Sequence, residues 1–316
     1  MNFQPSEEHR EFLGALEKLL AQVGTESVDG RRSFFSDALD AALEASGLLD
    51  AAGIPEFGVL AAALLVDEVS RLPAVVEVGA SALVRPLIGA DWPRPVAVIA
   101  GDIAKPTRFL CQARTVLFVG EEALRAATLA DGECVAAEAF FTYPMGRLRE
   151  PAACHGRAQR CGEVEDVRRL LAIATACEIT GALQGALDAV TEHVKNRRQF
   201  GRPLGSFQAV QHRLAASATN IVAGRLLARK AASLGRTEDA LLALGYVQDC
   251  APRILYDLHQ FMGAMGLTLE HPLYRWSYRV KLLISEFGGA SRVLRDVSGL
   301  IWDRADRPLE AVGQAQ

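Results

Sequence analysis

The sequence predicts a mainly α-helical protein with one small β domain, and three observations predict it. Half of the 316 residues are hydrophobic, with alanine and leucine dominating, a composition typical of packed helices. Long apolar runs at helical spacing occupy both ends of the chain. Between them, residues from about 93 to 160 change to short β-prone runs punctuated by turn pairs.

Residues 1–92 read as an N-terminal helical domain. Ser6 followed by Glu7 and Glu8 opens a first helix, with acids at its positive end. Phe12, Leu13, Leu16, Leu19 and Leu20 form its apolar face. A second helix is expected from Phe34 to Ser46, stopped by Gly47. A third runs from Phe57 to Arg71 and is apolar enough to be buried, and a fourth runs from Val75 to Leu87. Asp67 and Glu68 read as surface acids of the third helix.

Residues 93–162 read as a small β domain built from VAVIA, RFLCQ, TVLFV and CVAAEAFF. The turns fall at Gly101-Asp102, Gly120-Glu121 and Asp131-Gly132, and Pro144 to Gly162 reads as a linker or exposed loop. Residues 163–305 form a C-terminal helical domain. Long helices are expected from Glu165 to Asn196, Ser206 to Leu234 and Thr237 to Met262, with a last one from about Ala290 to Trp302. Four Ala-rich helices with short joins indicate an antiparallel four-helix bundle, and Gly181 and Gly185 permit close helix approach. Residues 306–316 read as a tail, disordered after Pro308.

Composition narrows the function classes. The net charge of −4 gives no support to a nucleic-acid surface, and no run reads as a membrane span. The N-terminus reads as amphipathic and acidic, unlike a signal peptide. Six scattered cysteines without a Cys-x-x-Cys pair suggest reduced thiols in a cytoplasmic protein, mostly filling the core. The six histidines lack metal-ligand spacing; His212 and His259 suggest packing roles, and Ser206 reads as an N-cap.

The stretch with the most legible chemistry is NRRQFGRPLGSFQAVQ, Asn196 to Gln211. Arg197 and Arg198 stand at the C-terminal end of a helix, where the macrodipole favours cations. Phe200 adds an aromatic face, and a Gly-Arg-Pro turn holds the group. An arginine fork beside an aromatic ring suits a phosphate plus a flat heterocycle, although paired arginines also serve simply as helix caps.

This phrase resembles the arginine/Phe-Gly segment of the acyl-CoA dehydrogenase family. Gln260-Phe-Met-Gly-Ala-Met-Gly266 is similar to that family's Gln-x-x-Gly-Gly-x-Gly turn. Glu270-His-Pro-Leu-Tyr-Arg-Trp-Ser-Tyr-Arg279 is similar to its Glu-x-Pro-Leu segment. Three motifs in order within one helical region are more specific than any alone. The resemblance implies an N-terminal helical domain, a middle β domain and a C-terminal four-helix bundle. Here the middle domain is shortened: its Thr-Glu-Pro-Gly and Trp-x-Thr/Ser flavin-ring segments are missing, and no tryptophan lies between Trp92 and Trp276.

The family's chemistry desaturates an acyl-CoA: a carboxylate removes the α-proton while the β-hydride goes to FAD. Counted without gaps, one family position for that glutamate falls on Phe287, with Glu286 one residue early and Gly289 in the threonine column. The other falls on Leu171, followed by Ala172 where some members carry arginine. Glu286 therefore has two readings: a base reached by a one-residue loop shift, or an ordinary exposed acid paired with Lys281 or Arg292. The accompanying losses favour the second.

The retained residues imply a different role. By resemblance, Arg197, Phe200, Gln260 and Gly263 touch the ADP part of FAD held mainly by a neighbouring subunit, with Ala264 in place of the second glycine. A chain that keeps the half-site it lends and loses the one it would use resembles the smaller, degenerate subunit of α2β2 acyl-CoA dehydrogenases of bacterial steroid and side-chain degradation. FAD would then be shared across an interface with a second acyl-CoA dehydrogenase-like chain. The alternatives are a self-sufficient homomeric enzyme using Glu286 and a flavin-free scaffold.

Overall fold

The computed structural model describes residues 5–23, 35–89, 91–138 and 142–305. Phe34, the last three residues of CVAAEAFF and the tail from 306 lie outside the described residues.

The N-terminal helices are α1 (Glu7–Val23), α2 (Asp37–Ser46), α3 (Gly58–Ser70), α4 (Gly79–Leu83) and α5 (Arg85–Ile88), with a 3-10 turn at Leu48–Gly53. Ser36 caps α2 by accepting from the Leu39 amide, and Gly47 ends it in the left-handed conformation (φ 70°). The single helix expected from Val75 to Leu87 is replaced by two short ones separated at Val84. Pro86 has no amide hydrogen to donate and sits in the first turn of α5. Val75 instead lies extended, bridged to Phe35.

Seven strands follow: β1 (Val96–Ala100), β2 (Thr107–Arg108), β3 (Thr115–Val119), β4 (Leu124–Thr128), β5 (Cys134–Ala137), β6 (Met145–Leu148) and β7 (Gln159–Arg160), with α6 (Pro151–Arg157) before the last. They form two sheets, ordered β1-β3-β4-β7 and β2-β6-β5; β1 and β3 pair in parallel and all other pairs are antiparallel. Three expectations change here. The strand expected over RFLCQ is only Thr107–Arg108, because Phe109 turns to φ 65° and its carbonyl accepts from Gln112 and Ala113. Leu124–Thr128 was not expected as a strand; pairing with β3 overrides its alanine-rich composition. The stretch from Pro144 to Gly162 is ordered, holding β6, α6 and β7 rather than a loop.

The C-terminal region contains α7 (Val164–Asn196), the hairpin strands β8 (Arg198–Gln199) and β9 (Arg202–Pro203), α8 (Gln208–Leu234), α9 (Thr237–Met262), α10 (Leu273–Leu283) and α11 (Ala290–Ala305). α7 is the central helix, packed by α3, α8, α9 and α10. By length and composition α7 could cross a membrane, but 89% of its most apolar window is buried inside the fold. Its small residues explain the packing: a Cβ on Gly181 would stand 2.1 Å from the Asp67 carbonyl, and one on Gly185 would stand 2.1 Å from that of Arg71. Asp67, expected at the surface, is buried at this crossing; it accepts from Thr180 (2.7 Å) and pairs with Arg225 (2.7 Å). A buried carboxylate persists because it is paired and hydrogen-bonded. Ser206 does not cap α8: its hydroxyl donates to the Pro203 carbonyl, and Phe207 precedes the helix. Of the six cysteines, Cys111 is exposed and so is not a core filler.

Candidate functional site

The arginine/Phe-Gly phrase folds as a β-hairpin. β8 and β9 pair Arg198 with Pro203 and Gln199 with Arg202, leaving Phe200-Gly201 as a two-residue turn with both φ values positive (53° and 79°). That geometry matches the twist of a hairpin and suits Gly201; Phe200 adopts it at a steric cost. Phe200 is nevertheless 88% exposed, meeting Phe207 edge-on at 6.2 Å, while Arg202 stacks over Phe207 at 4.0 Å. An exposed aromatic ring held in a strained backbone is poor economy for a lone chain and reads as a contact prepared for something else. Arg197 is exposed at the end of α7, its amide donating to His193 and its carbonyl accepting from Leu204.

The glycine turn stands at the same end of the bundle. α9 ends at Met262, and Gly263 (φ 58°) turns the chain into a 3-10 segment, Gly263–Leu267. A Cβ on Gly263 would meet nothing within 4 Å, so the turn is open to an approaching group. Gln260, Gly263 and Ala264 are exposed, whereas Gly266 is buried against Met262 and His259. His193 of α7 and His271, just beyond the turn, have ring centroids 6.5 Å apart, which ties the hairpin end to the glycine end. Exposed guanidiniums, an exposed aromatic ring and an open glycine turn fit the phosphate and adenine end of a dinucleotide such as FAD. All of these groups lie on the outside of the chain.

A second constellation lies inside, between the sheets and the bundle, and reading the sequence did not find it. Arg108 of β2 donates to Glu178 of α7 (2.5 Å) and pairs with Glu286 through its Nε (3.2 Å). Tyr143 donates to the same Glu178 oxygen (3.0 Å), and its ring and that of Phe109 flank the guanidinium at 5.2 and 5.8 Å. Gly79 makes room for Glu178: a Cβ there would stand 2.6 Å from its Oε1. The signal for Glu178 was available, as one acid inside the apolar run LLAIATACEITGAL.

Glu286 is thus not an exposed acid paired with Lys281 or Arg292. It is half-buried, in the 3-10 turn Glu286–Gly288 after α10, and its partners are Arg108 and Thr175. Gln248 of α9 fixes this turn by donating to the carbonyls of Leu283 (3.0 Å) and Glu286 (2.9 Å). Phe287, in the base column, has φ 59° and packs its ring against the core, leaving the preceding glutamate to face inward. Burial raises the Glu286 carboxyl above its ordinary range; Arg108 opposes the shift and Glu178 adds to it. Thr175 Oγ lies 2.8 Å from the Leu171 carbonyl and 3.2 Å from Glu286. One hydroxyl proton cannot serve both, so a proton kept by Glu286 would complete the network. Burial works against the charge of Arg108, yet Glu178 and Glu286 hold its guanidinium well above its usual value. Among the described residues, no group of three or more His, Cys, Asp or Glu is placed to hold a metal.

Comparison with known proteins gives the class. Residues 169–299 match the family model for the acyl-CoA dehydrogenase C-terminal domain. The whole chain superposes on solved structures of that fold. Over 98% of its length and all of the neighbour's, it matches a chain of the ChsE4-ChsE5 complex from Mycobacterium tuberculosis with a TM-score of 0.77 at 20% identity. Over 95% and 99% respectively, it matches the Tcur3481-Tcur3483 steroid ACAD with a TM-score of 0.71 at 22% identity.

Residues 169–299 are therefore an acyl-CoA dehydrogenase C-terminal domain, on a chain with the acyl-CoA dehydrogenase fold throughout. Among curated relatives, acyl-CoA dehydrogenase FadE28 of M. tuberculosis is 38% identical over 120 residues, 36% of this chain and 35% of that one. Cyclohex-1-ene-1-carbonyl-CoA dehydrogenase of Syntrophus aciditrophicus is 32% identical over 130 residues, 39% of this chain and 31% of the relative. The chain thus spans about a third of the length of these relatives.

Proposed function

We propose that this chain is the non-catalytic subunit of a two-chain, FAD-dependent acyl-CoA dehydrogenase. It lends Arg197, Phe200, Gln260 and Gly263, with Ala264 beside them, to FAD held mainly by a partner chain of the same fold. The observation that carries this reading is an asymmetry. The residues matching the family's lent half-site are exposed on the outer hairpin and turn, while inside, between the sheets and the bundle, Arg108 is paired to Glu178 and Glu286.

FAD, when bound, supplies the hydride acceptor for α,β-desaturation of an acyl-CoA. This chain's residues would bind and orient it: Arg197 by charge-assisted hydrogen bonds to phosphate, Phe200 by stacking, and the Gly263 turn by letting backbone approach closely. The partner would supply the base. Two of the structural neighbours are named as two-chain assemblies, one of them a steroid ACAD, which supports an α2β2 arrangement and a bulky steroid side-chain thioester as substrate.

The test is flavin retention in the mixed complex. Arg197→Ala is expected to weaken it by about tenfold or more, the worth of a charge-assisted hydrogen bond. Unchanged flavin content after gel filtration would count against the reading. A second reading has one observation in its favour: Glu286 faces inward beside Thr175, as a base would. It predicts a yellow chain on its own and activity abolished by Glu286→Gln.

A further inference from the structure

We propose that Arg108 is a built-in plug: its guanidinium fills the chain's own reaction cleft and ties down Glu286, so the carboxylate is present but engaged. This rests on the non-catalytic reading above and names what makes the cleft silent. The lesion is then not a missing base but an arginine supplied by the β region.

Four observations converge on it. Arg108 is held from two elements distant in sequence, α7 through Glu178 and the turn after α10 through Glu286. Both stretches where a base is expected flank it: Glu286 directly, and Leu171 through Thr175, whose hydroxyl lies against the Leu171 carbonyl and Glu286. The plug has its own seat, with Tyr143 donating to Glu178, aromatic rings of Phe109 and Tyr143 beside the guanidinium, and Gly79 leaving space for the Glu178 carboxylate. Gln248 fixes the backbone of the turn that carries Glu286 by donating to the carbonyls of Leu283 and Glu286. Whether Glu286 gives its charge to Arg108 or keeps a proton, it is not a free base.

The plug is tested by the reactivity of Glu286 toward a water-soluble carbodiimide and an amine, read by peptide mass spectrometry on the full chain. Glu77, which is 4% exposed and hydrogen-bonded elsewhere, serves as the internal reference for global loosening. Glu286 is expected to be modified slowly in the wild type and about tenfold faster in Arg108→Gln, with Glu77 protected in both. Glu178→Gln leaves Arg108 in place and is expected to stay near the wild-type rate. If Arg108→Gln exposes Glu77 as well, Arg108→Lys replaces it: a single ammonium cannot bridge both carboxylates, so Glu286 is again expected to react faster. Equal Glu286 rates in wild type and folded variant would overturn the plug. Flavin on the isolated chain with Glu286 still protected would overturn the non-catalytic reading alone. Rapid labelling of Glu286 in flavin-free wild type would overturn the plug alone.

Discussion

Arg197 and Arg108 lie at opposite extremes of one chain. Arg197 stands exposed at a helix end, beside a phenylalanine 88% exposed and held at a positive φ. Arg108 is pinned between two carboxylates, beside two aromatic rings, with Gly79 leaving room for its partner Glu178. The first arrangement leaves the guanidinium open to solvent, and the second commits Nη1 and Nε to two internal carboxylates. A chain acting alone would gain from the reverse. The difference teaches that the same residue type can stand open to solvent at a helix end in one place and be held by internal carboxylates in the other.

The largest expected effect separates the two by stability. Arg108→Ala leaves buried Glu178 with Tyr143 as its hydrogen-bond donor and Arg279 as the nearby charge, and is expected to cost about 3 kcal/mol in urea unfolding. Gly79→Ala pushes a methyl against the Glu178 carboxylate and is expected to cost about 1–2 kcal/mol without removing any charge. Equal stability of either variant and the wild type would mean that the inner cluster is not held as described. The outer face should respond with the opposite sign. Phe200→Gly relieves the left-handed strain and is expected to stabilise the isolated chain by roughly 0.5 kcal/mol while weakening flavin retention in the mixed complex.

The smallest effect is in pH dependence. The Glu286 carboxyl is raised when folded, so the folded state binds its proton more tightly than the unfolded state. Its contribution is therefore fully present below the ordinary carboxylate range and is lost as pH rises through the raised value. Compared with Glu286→Gln, wild-type melting temperature is expected to fall as pH rises from about 4 to 7. Asp40 and Glu77 are raised by burial too, but they are present in both proteins and cancel. A constant difference would place Glu286 in water.

The residues of the proposed outer half-site could be picked out because they are local in sequence. Arg197, Phe200 and Gly201 lie in one hairpin, and Gln260 and Gly263 in one helix end, so each piece could be read within a few residues. The long helix Thr237–Met262 was legible for the same reason, being bounded by Gly235 and Gly263. The inner cluster was not, since Arg108, Glu178 and Glu286 are brought together by the sheet, the central helix and a loop. What could have pointed to it is an acid in a largely apolar helical run, a mark carried by both Glu178 and Asp67. The surface reading of Asp67 failed because helical spacing identifies an apolar face but not a helix buried on every side, as α3 nearly is.

The most direct measurement is bound flavin per chain, by absorbance after gel filtration, for this protein alone and together with an acyl-CoA dehydrogenase-like partner. The half-site reading predicts a colourless chain alone and a yellow complex with one FAD per pair of chains. One FAD per chain on the protein alone would contradict it and make Glu286 the candidate base.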